Sequence, residues 1–480
     1  SDFFYLNNQL VAQSDGQSAI SRRYVYAHHV PVAVIDYSFD TPQAQLLAVH
    51  SDLLGAPRLI TDARQRVRWH ADYSPTGRAH IVSADIPLAL RLPGQVADPD
   101  TGWHDNLLRT YLPDAGHYLE PDPLGPVPGN QALGYARQQP RLYADPMGLL
   151  LFAFDGTRHS ASTQSNVWKL SRYYLDGPVH YHPGPGNSMF MELDALTAHQ
   201  ASTILETQWK WLLVELSRPQ AATATTPIDI LGFSRGAALA RHFGNMVAQH
   251  VHQGLFQFND PVHGAVSACV DLRFMGLFDT VAQFGIGGRH NRNYDLGIPG
   301  AWEWVAHAVA LHEHRWLFPL TAAGSSLAHN VVEAPFIGAH ADIGGGILPA
   351  ERRQSGDHGD LSNVALNWMV WQARAASVPL ADLDPEDSTI SDPVLHDYRA
   401  PLMRTIQAGD RRVDAQDGQR WLNYQNDHPR LGRNTRRQAE SLIRRHPGWE
   451  SRSDSDVGTV DMDGYAQWLH DELGWHAAPV

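Results

Sequence analysis

One stretch decides how this chain folds: Ile228-Asp229-Ile230-Leu231-Gly232-Phe233-Ser234-Arg235-Gly236-Ala237-Ala238-Leu239-Ala240. Its first four residues predict a buried strand, and the small residues after Gly236 predict a helix. Gly-x-Ser-x-Gly between a strand and a helix is typical of a nucleophile elbow, a sharp turn where glycines let two backbones pass closely. Ser234 is therefore the candidate nucleophile. Because a helix N-terminus presents free N–H groups, the N–H of Arg235 is the candidate oxyanion-hole donor.

Apolar runs and helix-like stretches alternate around this motif. The runs at 149–154, 228–231 and 272–278 are mostly apolar, and the first is continuous, as is typical of a strand buried on both faces of a sheet. Helix-like stretches lie between them, near 201–216 and 237–247. This alternation predicts a parallel sheet with helices on both faces. We therefore expect an α/β fold with an α/β-hydrolase-like core.

A serine nucleophile needs a base, and the base needs a carboxylate to orient it. In this kind of fold the chain order is Ser, then Asp or Glu, then His. Asp279 directly follows the apolar run 274–278, so it lies at the carboxyl end of a predicted strand. It is the candidate acid. The alternative is that Asp279 caps a helix beginning at the next residue.

The base must be chosen among 27 histidines. His340 is the candidate, because an apolar segment precedes it and a glycine-rich loop, 344–346, follows it. Asp342 is either an alternative acid or a group that holds this loop. The competing histidines are His242, His312, His314 and His329.

A second oxyanion-hole donor is expected at the turn Asp155-Gly156-Thr157, which ends the first apolar run. Loops that follow the strands of an open parallel sheet carry function. The N–H of Gly156 or of Thr157 is the candidate donor. The alternative is a plain Asp-Gly turn without a catalytic role.

Composition narrows the choice of partners and cofactors. The 480 residues carry a formal net charge of −14, so we expect no nucleic-acid partner, which would require basic surface. The single cysteine, Cys269, lies in an apolar stretch and is expected to be a buried structural thiol. We expect no metal and no cofactor, since the acidic cluster lacks EF-hand spacing: Asp454, Asp456, Asp461 and Asp463.

The chain divides into three predicted parts. Residues 1–149 contain short β-like runs broken by Pro/Asp/Gly turns, for example at 98–102 and 113–116. Residues 150–360 form the expected catalytic core. Residues 361–480 predict a mostly helical C-terminal extension that packs on the core. Residues 1–13 lack the basic and apolar regions of a secretory signal, so we expect synthesis in the cytoplasm.

Four ordered motifs between about 149 and 349 resemble the bacterial type VI lipase effectors of the GFSRGA-motif phospholipase family. They are Phe154–Thr157, Gly232–Ala237, Gly276–Val281 and Gly338–Gly346. The segments 165–167 and 181–186 are also similar to that family. The resemblance implies Ser234 as nucleophile, Asp279 as acid and His340 as base. It also implies hydrolysis of phospholipid carboxylic esters, of phospholipase A type, at the membrane of a rival bacterium.

The first part resembles the C-terminal core of Rhs/YD-repeat proteins, which build a β-rich shell around a C-terminal toxin. The similar stretches are 50–58, 92–95, 118–125 and 145–149. Rhs proteins cut themselves after Pro-x-x-x-x-Asp-Pro-x-Gly-Leu, and 140–149 match this pattern. The resemblance implies Asp122 and Asp145 as the aspartate pair and Leu149 as the last residue before the cut. About 150 residues are fewer than a full shell needs, so either a longer shell precedes residue 1 or the module is a reduced one.

These resemblances imply an antibacterial toxin delivered by a type VI system and acting at the membrane from the periplasm. The implied partners are a phospholipid substrate, a secretion spike or adaptor protein and a cognate immunity protein. Two alternatives remain: a soluble esterase or thioesterase with the same triad, and a non-catalytic Rhs-derived binding module. An apolar lid would favour a lipid substrate, although aromatic residues at such spacing also occur in cores. The candidate lid residues are Trp302, Trp304, Val305, Val309 and Trp316.

Overall fold

The structure is a computed structural model, and it describes residues 2–119 and 150–475 apart from short gaps. The gaps are 7–8, 15–18, 28–29, 38–43, 53–54, 93, 107–108, 176, 187–193, 218–224, 261–263, 285–287, 324–329, 348–357, 407–409, 415–424 and 429. The predicted self-cleavage residues Asp122, Asp145 and Leu149 and the competing His329 lie outside the described residues.

Eight antiparallel strands form a first sheet, in which each strand pairs with the next along the chain. Alternate side chains of the strands are buried, and Val34, Leu47, Ile60 and Trp69 form one apolar cluster. The sheet therefore has one apolar face. Its strands are β1 (Phe3–Leu6), β2 (Gln9–Ser14), β3 (Ile20–Ala27), β4 (Val30–Asp36), β5 (Gln45–Ser51), β6 (Pro57–Thr61), β7 (Val67–Tyr73) and β8 (Ala79–Ala84).

A second, smaller antiparallel sheet follows. Tyr111 and Tyr118 fill its core together with Ala56 and Leu92, and the two tyrosine rings meet edge to face with centroids 5.7 Å apart. The β-rich character predicted for the first part is thus present in its described residues. The strands are β9 (Val96–Ala97), β10 (His104–Asn106), β11 (Arg109–Leu112) and β12 (His117–Tyr118), in the order β12-β11-β10-β9.

A mixed α/β unit begins at Leu150. Its elements are β13 (Leu150–Phe154), α1 (Asn166–Tyr173), β14 (Val179–His182), α2 (Asp194–Leu216), β15 (Thr226–Phe233), α3 (Arg235–Gln249), β16 (Val251–His252), β17 (Leu255–Asp260), β18 (Gly264–Phe278), β19 (Trp304–Ala310), β20 (Leu320–Thr321), β21 (Val331–Phe336) and α4 (His340–Gly344). Six strands pair in parallel in the order β14-β13-β15-β18-β19-β21. The predicted parallel sheet is therefore present.

Helices cover both faces of this sheet, because its strands are apolar on both sides. Leu150, Phe152 and Phe154 of β13 pack with α2 and α3. Leu151 and Ala153 of the same strand pack on the opposite side, in the cluster that includes α1 and the C-terminal region. The continuous apolar run in the sequence thus corresponds to a strand buried on both faces.

The first half of β18 departs from this pattern. It pairs antiparallel with β17, which in turn pairs with β16, so Cys269 lies opposite Leu255 in a ribbon beyond the parallel core. Side chains there alternate between buried and exposed, and Cys269 is exposed. The expectation of a buried thiol was wrong, because this ribbon has one face in solvent.

The C-terminal region contains strands as well as the predicted helices. Its strands have only two to five residues, too short to give a clear alternation in the sequence. The elements are α5 (Ser362–Ala375), α6 (Pro385–Ser388), β22 (Val394–His396), α7 (Pro401–Ile406), β23 (Val413–Asp414), α8 (Arg433–Ser441), β24 (Ile443–Arg445), β25 (Asp456–Val460) and α9 (Met462–Leu473). Three of the strands form an antiparallel sheet in the order β22-β25-β24.

This region packs directly on the parallel sheet. Trp368 of α5 and Tyr465 of α9 belong to the same apolar cluster as Phe336 of β21. β23 pairs in parallel with β20, with Leu320 opposite Val413. The C-terminal region and the sheet therefore share one core.

A buried ion pair crosses two neighbouring strands of the sheet. The Arg273 guanidinium of β18 contacts both carboxylate oxygens of Asp229 on β15, with Nε–Oδ1 at 3.1 Å and Nη2–Oδ2 at 2.5 Å. The Tyr174 hydroxyl donates to the same carboxylate at 2.6 Å. Paired and hydrogen-bonded, the two charges are tolerated inside the fold.

We predict that Arg273→Met destabilises the protein by about 3–5 kcal/mol, because it leaves the Asp229 carboxylate buried without its cation. Urea unfolding followed by tryptophan fluorescence measures the loss. Arg374→Met is the matched control, since Arg374 pairs with the almost fully exposed Asp382 and its loss should change stability little. Equal effects of the two substitutions would contradict the prediction.

Candidate active site

Ser234 occupies a strained turn between β15 and α3. Its φ of 58° and ψ of −126° fall in a region that residues with a Cβ rarely adopt. Two backbone hydrogen bonds hold the turn: Ser234 N–H donates to the Phe278 carbonyl at 3.0 Å, and Val281 N–H donates to the Ser234 carbonyl at 3.2 Å. The turn is thus fixed against the end of β18, next to Asp279.

Glycine is required on both sides of this serine. A Cβ on Gly232 would lie 2.5 Å from the Ala237 Cα, and one on Gly236 would lie 2.2 Å from the Asp155 carbonyl oxygen. The start of α3 therefore touches the end of β13. This close approach is the geometry that the Gly-x-Ser-x-Gly pattern predicts.

Asp279 is fully buried and hydrogen-bonded at the end of β18. Its Oδ2 accepts a hydrogen bond from His340 Nδ1 at 2.5 Å, and its Oδ1 accepts one from the Ala310 N–H at 3.0 Å. Residues 280–284 are not helical, so Asp279 does not cap a helix. Its carboxylate instead faces the candidate base.

His340 begins α4, close to Ser234. Its ring contacts the rings of Phe233 and Phe318, with centroid distances of 4.7 and 4.9 Å. Since Phe233 immediately precedes Ser234, the imidazole lies beside the serine turn. Because Nδ1 donates to a carboxylate, it carries the proton of the neutral ring and leaves Nε2 as the acceptor.

The electrostatic surroundings keep His340 neutral and Asp279 ionised. Burial lowers the pKa of His340 more than Asp279 and Glu313 raise it. Burial alone would raise the pKa of Asp279, but the charge of Arg411 and the hydrogen bond from His340 outweigh it, and the pKa is lowered. At neutral pH the pair therefore consists of a carboxylate and a neutral imidazole, which can accept a proton.

Asp342 holds the loop and does not contact His340 through its carboxylate. Its Oδ2 accepts hydrogen bonds from the backbone N–H groups of Ala339 and His396, and its Oδ1 contacts His396 Nδ1 at 2.6 Å. All of these groups are buried. Of the two roles open from the sequence, the geometry favours loop support.

Two of the competing histidines that the structure describes make hydrogen bonds elsewhere. His242 Nδ1 accepts the Asp295 N–H on the outer part of α3, and His312 Nδ1 accepts the Gly338 N–H. His314 is largely buried, and burial lowers its pKa to about 4. In the part of the chain that the structure describes, none of these three histidines forms a hydrogen bond with the Asp279 carboxylate.

The two candidate donors after β13 differ in their contacts. Gly156 N–H donates to the Asp155 carboxylate at 2.7 Å and is therefore engaged. Thr157 is half-buried, and its backbone N–H, the atom that would act as the donor, has no acceptor among the described residues. Thr157 thus remains the candidate second donor, beside Arg235 at the start of α3. Burial raises the pKa of Asp155 to about 6, and Tyr181 donates to its other oxygen at 2.5 Å.

The segment 165–167 braces the loop that carries His340. The Ser165 hydroxyl caps α1 by accepting a hydrogen bond from the Trp168 N–H. Asn166 is the first residue of this helix. Asn166 Nδ2 donates to the carbonyls of Ile343 and Ser362, each at 2.9 Å. One amide therefore joins α1, α4 and α5 behind the candidate base.

Two charged groups at the site were missed by the sequence analysis. Arg411 binds both oxygens of Asp279, and it comes from the C-terminal region, 132 residues along the chain. Glu313 accepts the His340 backbone N–H at 3.3 Å and pairs with Arg315, whose guanidinium lies over the Phe318 ring. Burial would raise the pKa of Glu313, but Arg315 lowers it. The sequence contains no local signal that links Arg411 to Asp279.

The predicted lid is wrong for most of its residues. Val305 and Val309 are core residues of β19, Trp302 is buried, and Trp304 is half-buried. Of that set Trp316 is exposed, at 68%, and Leu317 beside it is 44% exposed. No helix in the described residues is long and apolar enough to cross a bilayer, and they contain no cluster of metal-binding side chains.

Comparison with known proteins supports the resemblance inferred for the second part. Residues 255–372 match the family described as "T6SS, Phospholipase effector Tle1-like, catalytic domain". The matched range contains Asp279 and His340. The predicted resemblance to type VI lipase effectors is confirmed. The chain is also similar over 51% of its length to a structure of the Tle1 effector bound to the VgrG spike, at 20% identity, 76% coverage of that chain and a TM-score of 0.36.

Bacterial toxins and an Rhs protein are also similar to part of the chain. The double-stranded DNA deaminase toxin A of Burkholderia cenocepacia is 32% identical over 26% of this chain and 10% of its own length. Toxin protein Tse5 of Pseudomonas aeruginosa is 35% identical over 23% of this chain and 8% of its own length. A probable deoxyribonuclease, RhsA of Dickeya dadantii, is 31% identical over 21% of this chain and 7% of its own length. The chain spans a tenth or less of these relatives, so it is similar to part of an Rhs-type toxin.

Proposed function

We propose that this chain is an antibacterial type VI effector that hydrolyses carboxylic esters of membrane phospholipids. Ser234 is the nucleophile, His340 the base and Asp279 the acid. The observation that carries the proposal is the 2.5 Å contact between His340 Nδ1 and Asp279, held beside the strained turn at Ser234. The Tle1-like match over 255–372 supports the choice of a phospholipid ester.

The arrangement accounts for acyl transfer in two steps. Ser234 Oγ attacks the ester carbonyl while His340 Nε2 takes the hydroxyl proton, and Asp279 stabilises the resulting imidazolium. The N–H groups of Arg235 and Thr157 stabilise the tetrahedral oxyanion. Its collapse expels the alcohol, which takes the proton from His340. Water then repeats the sequence on the acyl-enzyme and releases the fatty acid.

The proposal divides the chain into an Rhs-like module at 1–149, a hydrolase core at 150–360 and a C-terminal region at 361–480. The similarity of part of the chain to RhsA of Dickeya dadantii supports the presence of an Rhs-like module. We further propose that a type VI spike or adaptor protein delivers the chain and that it acts at the target membrane from the periplasm. A cognate immunity protein is the third proposed partner. We propose no nucleic-acid partner, since the net charge is −14.

Exposed apolar residues beside the site favour a lipid over a small soluble ester. Trp316 and Leu317 are exposed in the segment that leads to Phe318, whose ring contacts His340. A tryptophan and a leucine at a site entrance can enter the apolar edge of a bilayer. A soluble esterase or thioesterase with the same triad is the alternative, and a non-catalytic Rhs-derived binding module is a second one.

We predict that Ser234→Ala lowers ester hydrolysis by a factor on the order of 10⁶ without unfolding the protein, because the triad acts as a unit. His340→Ala should be about as damaging, and Asp279→Asn somewhat less so, since the acid only orients and stabilises the base. Hydrolysis of short-chain nitrophenyl esters, with circular dichroism for folding, measures these effects.

The substitution Asp342→Asn tests which of the two carboxylates, Asp279 or Asp342, is the acid of the triad. It should lower the melting temperature while retaining more activity than Asp279→Asn, because Asp342 holds the loop of α4. A greater catalytic loss from Asp342→Asn would show that the acid is misassigned. Activity of Ser234→Ala within tenfold of wild type would rule out the serine mechanism.

We predict that the double substitution Trp316→Ala, Leu317→Ala lowers hydrolysis of phospholipid vesicles about tenfold or more, because it removes apolar area available for lipid contact. Hydrolysis of a soluble short-chain ester should stay within about twofold, since neither residue belongs to the triad. Leu46→Ala, which removes a similarly exposed leucine of the first sheet, is the control. An equal loss on vesicles and soluble ester would favour the soluble-esterase alternative.

We predict self-cleavage between Leu149 and Leu150, as the match at 140–149 implies. Two carboxylates brought together would have divergent pKa values, so that one acts as base and the other as acid. Denaturing electrophoresis should show a fragment whose N-terminal sequence begins at Leu150, and Asp145→Ala should abolish it. Asp114→Ala, at an exposed aspartate in a turn, is the control. A full-length band alone for the wild type would count against cleavage.

A further inference from the structure

Arg411 is buried against the candidate acid and makes contacts from three of its nitrogens. Nη1 donates to Asp279 Oδ1 at 2.7 Å, and Nη2 donates to Asp279 Oδ2 at 2.8 Å. Nε donates to the Phe318 carbonyl at 2.8 Å, and Nη1 also reaches the Ala310 carbonyl at 3.3 Å. The guanidinium thus joins the acid to the end of β19 and to Phe318, whose ring contacts His340.

The backbone around Arg411 is itself fixed. Its carbonyl accepts the Gln425 N–H at 2.8 Å, and the next carbonyl, of Arg412, accepts the Leu320 N–H at 2.9 Å. These bonds continue the pairing of β23 with β20. The guanidinium therefore approaches Asp279 from an anchored segment of the C-terminal region that leads into β23.

A bidentate contact constrains the acid more than a single hydrogen bond does. Two parallel N–H···O bonds hold the carboxylate in the plane of the guanidinium, so that it cannot rotate about its last side-chain bond. Oδ2 is then presented to His340 Nδ1 in one orientation. Since the pair is buried, solvent screens its charges little.

We propose that Arg411 is a positioning residue of the acid–base pair. Its guanidinium holds the Asp279 carboxylate toward His340 and offsets the negative charge of that carboxylate. This inference rests on the proposed serine mechanism. It makes the C-terminal region part of the active site, because the cation that neutralises the acid comes from that region.

The charged and titratable groups that face the pair are few in the described residues. Arg411 and His340 face Asp279, while Asp279, Glu313, Arg315 and His159 face His340. Arg411, ionised Asp279 and neutral His340 together carry no net charge. Adding a proton to the Asp279–His340 pair gives these three groups a net charge of about +1. Without the charge of Arg411, the same proton takes the pair from negative to neutral. Protonation is therefore easier without Arg411, whichever partner holds the proton.

Arg411→Gln should consequently move the acidic limb of the kcat/KM profile to higher pH by about one unit or more. Loss of the fork should also lower kcat on the order of tenfold or more, because the carboxylate is no longer held. Arg411→Lys keeps a charge at one point but not the fork. Its acidic limb should stay near that of the wild type, while its kcat still falls.

The test is a pH series with a soluble short-chain nitrophenyl ester, read at a wavelength where both forms of the product absorb equally. Arg404→Gln is the matched control. Arg404 is another buried arginine of the same region, and it donates to the backbone carbonyls of Trp449, Arg452, Asp397 and Asp454. Its loss should lower the melting temperature and leave the acidic limb in place.

An unshifted acidic limb in a folded Arg411→Gln protein would overturn the inference and reduce Arg411 to a structural anchor. If Arg411→Gln does not fold, Arg411→Lys decides through kcat, and a wild-type kcat would overturn the positioning role. The proposed mechanism fails separately, if Ser234→Ala remains active. An inactive Ser234→Ala together with an unshifted Arg411→Gln would leave the mechanism standing and remove the inference.

Discussion

The site depends on one constraint: the Asp279 carboxylate is buried completely and must be compensated. A buried charge is tolerated only when it is paired and hydrogen-bonded. Three separate parts of the chain meet that demand, since His340, the Ala310 N–H and Arg411 each contact one or both oxygens. The ends of β18 and β19, the start of α4 and Arg411 of the C-terminal region are therefore brought to one point, and the orientation of the imidazole follows from it.

The parallel sheet explains why these groups can meet at all. Asp155, Ser234 and Asp279 each directly follow a strand, and those strands are neighbours in the order β13-β15-β18. The carboxyl ends of parallel strands lie along one edge, so residues distant in sequence become adjacent there. Strain at Ser234 is supported by the same edge, because its turn hydrogen-bonds to Phe278 and Val281.

Sequence reasoning succeeded where the signal was local. The strand before Ser234, the glycines around it and the apolar run before Asp279 are contiguous patterns, and each corresponds to an element of the structure. It failed where the answer depended on distant packing. Cys269 is exposed because β18 begins as a ribbon outside the core, and the short C-terminal strands have too few residues to alternate. Arg411 lies 132 residues from its partner, so no window of sequence contains both.

The same contact changes how the C-terminal region should be understood. The sequence predicts residues 361–480 to be a mostly helical extension that packs on the hydrolase core. A core without this region would lose the cation that binds the Asp279 carboxylate, and an unpaired carboxylate is costly wherever it stays buried. Trp368 and Tyr465 would also leave the apolar cluster that covers one face of the sheet. The C-terminal region therefore supplies both the cation that compensates Asp279 and part of the apolar cover of the sheet, so in the proposed mechanism it belongs to the active site.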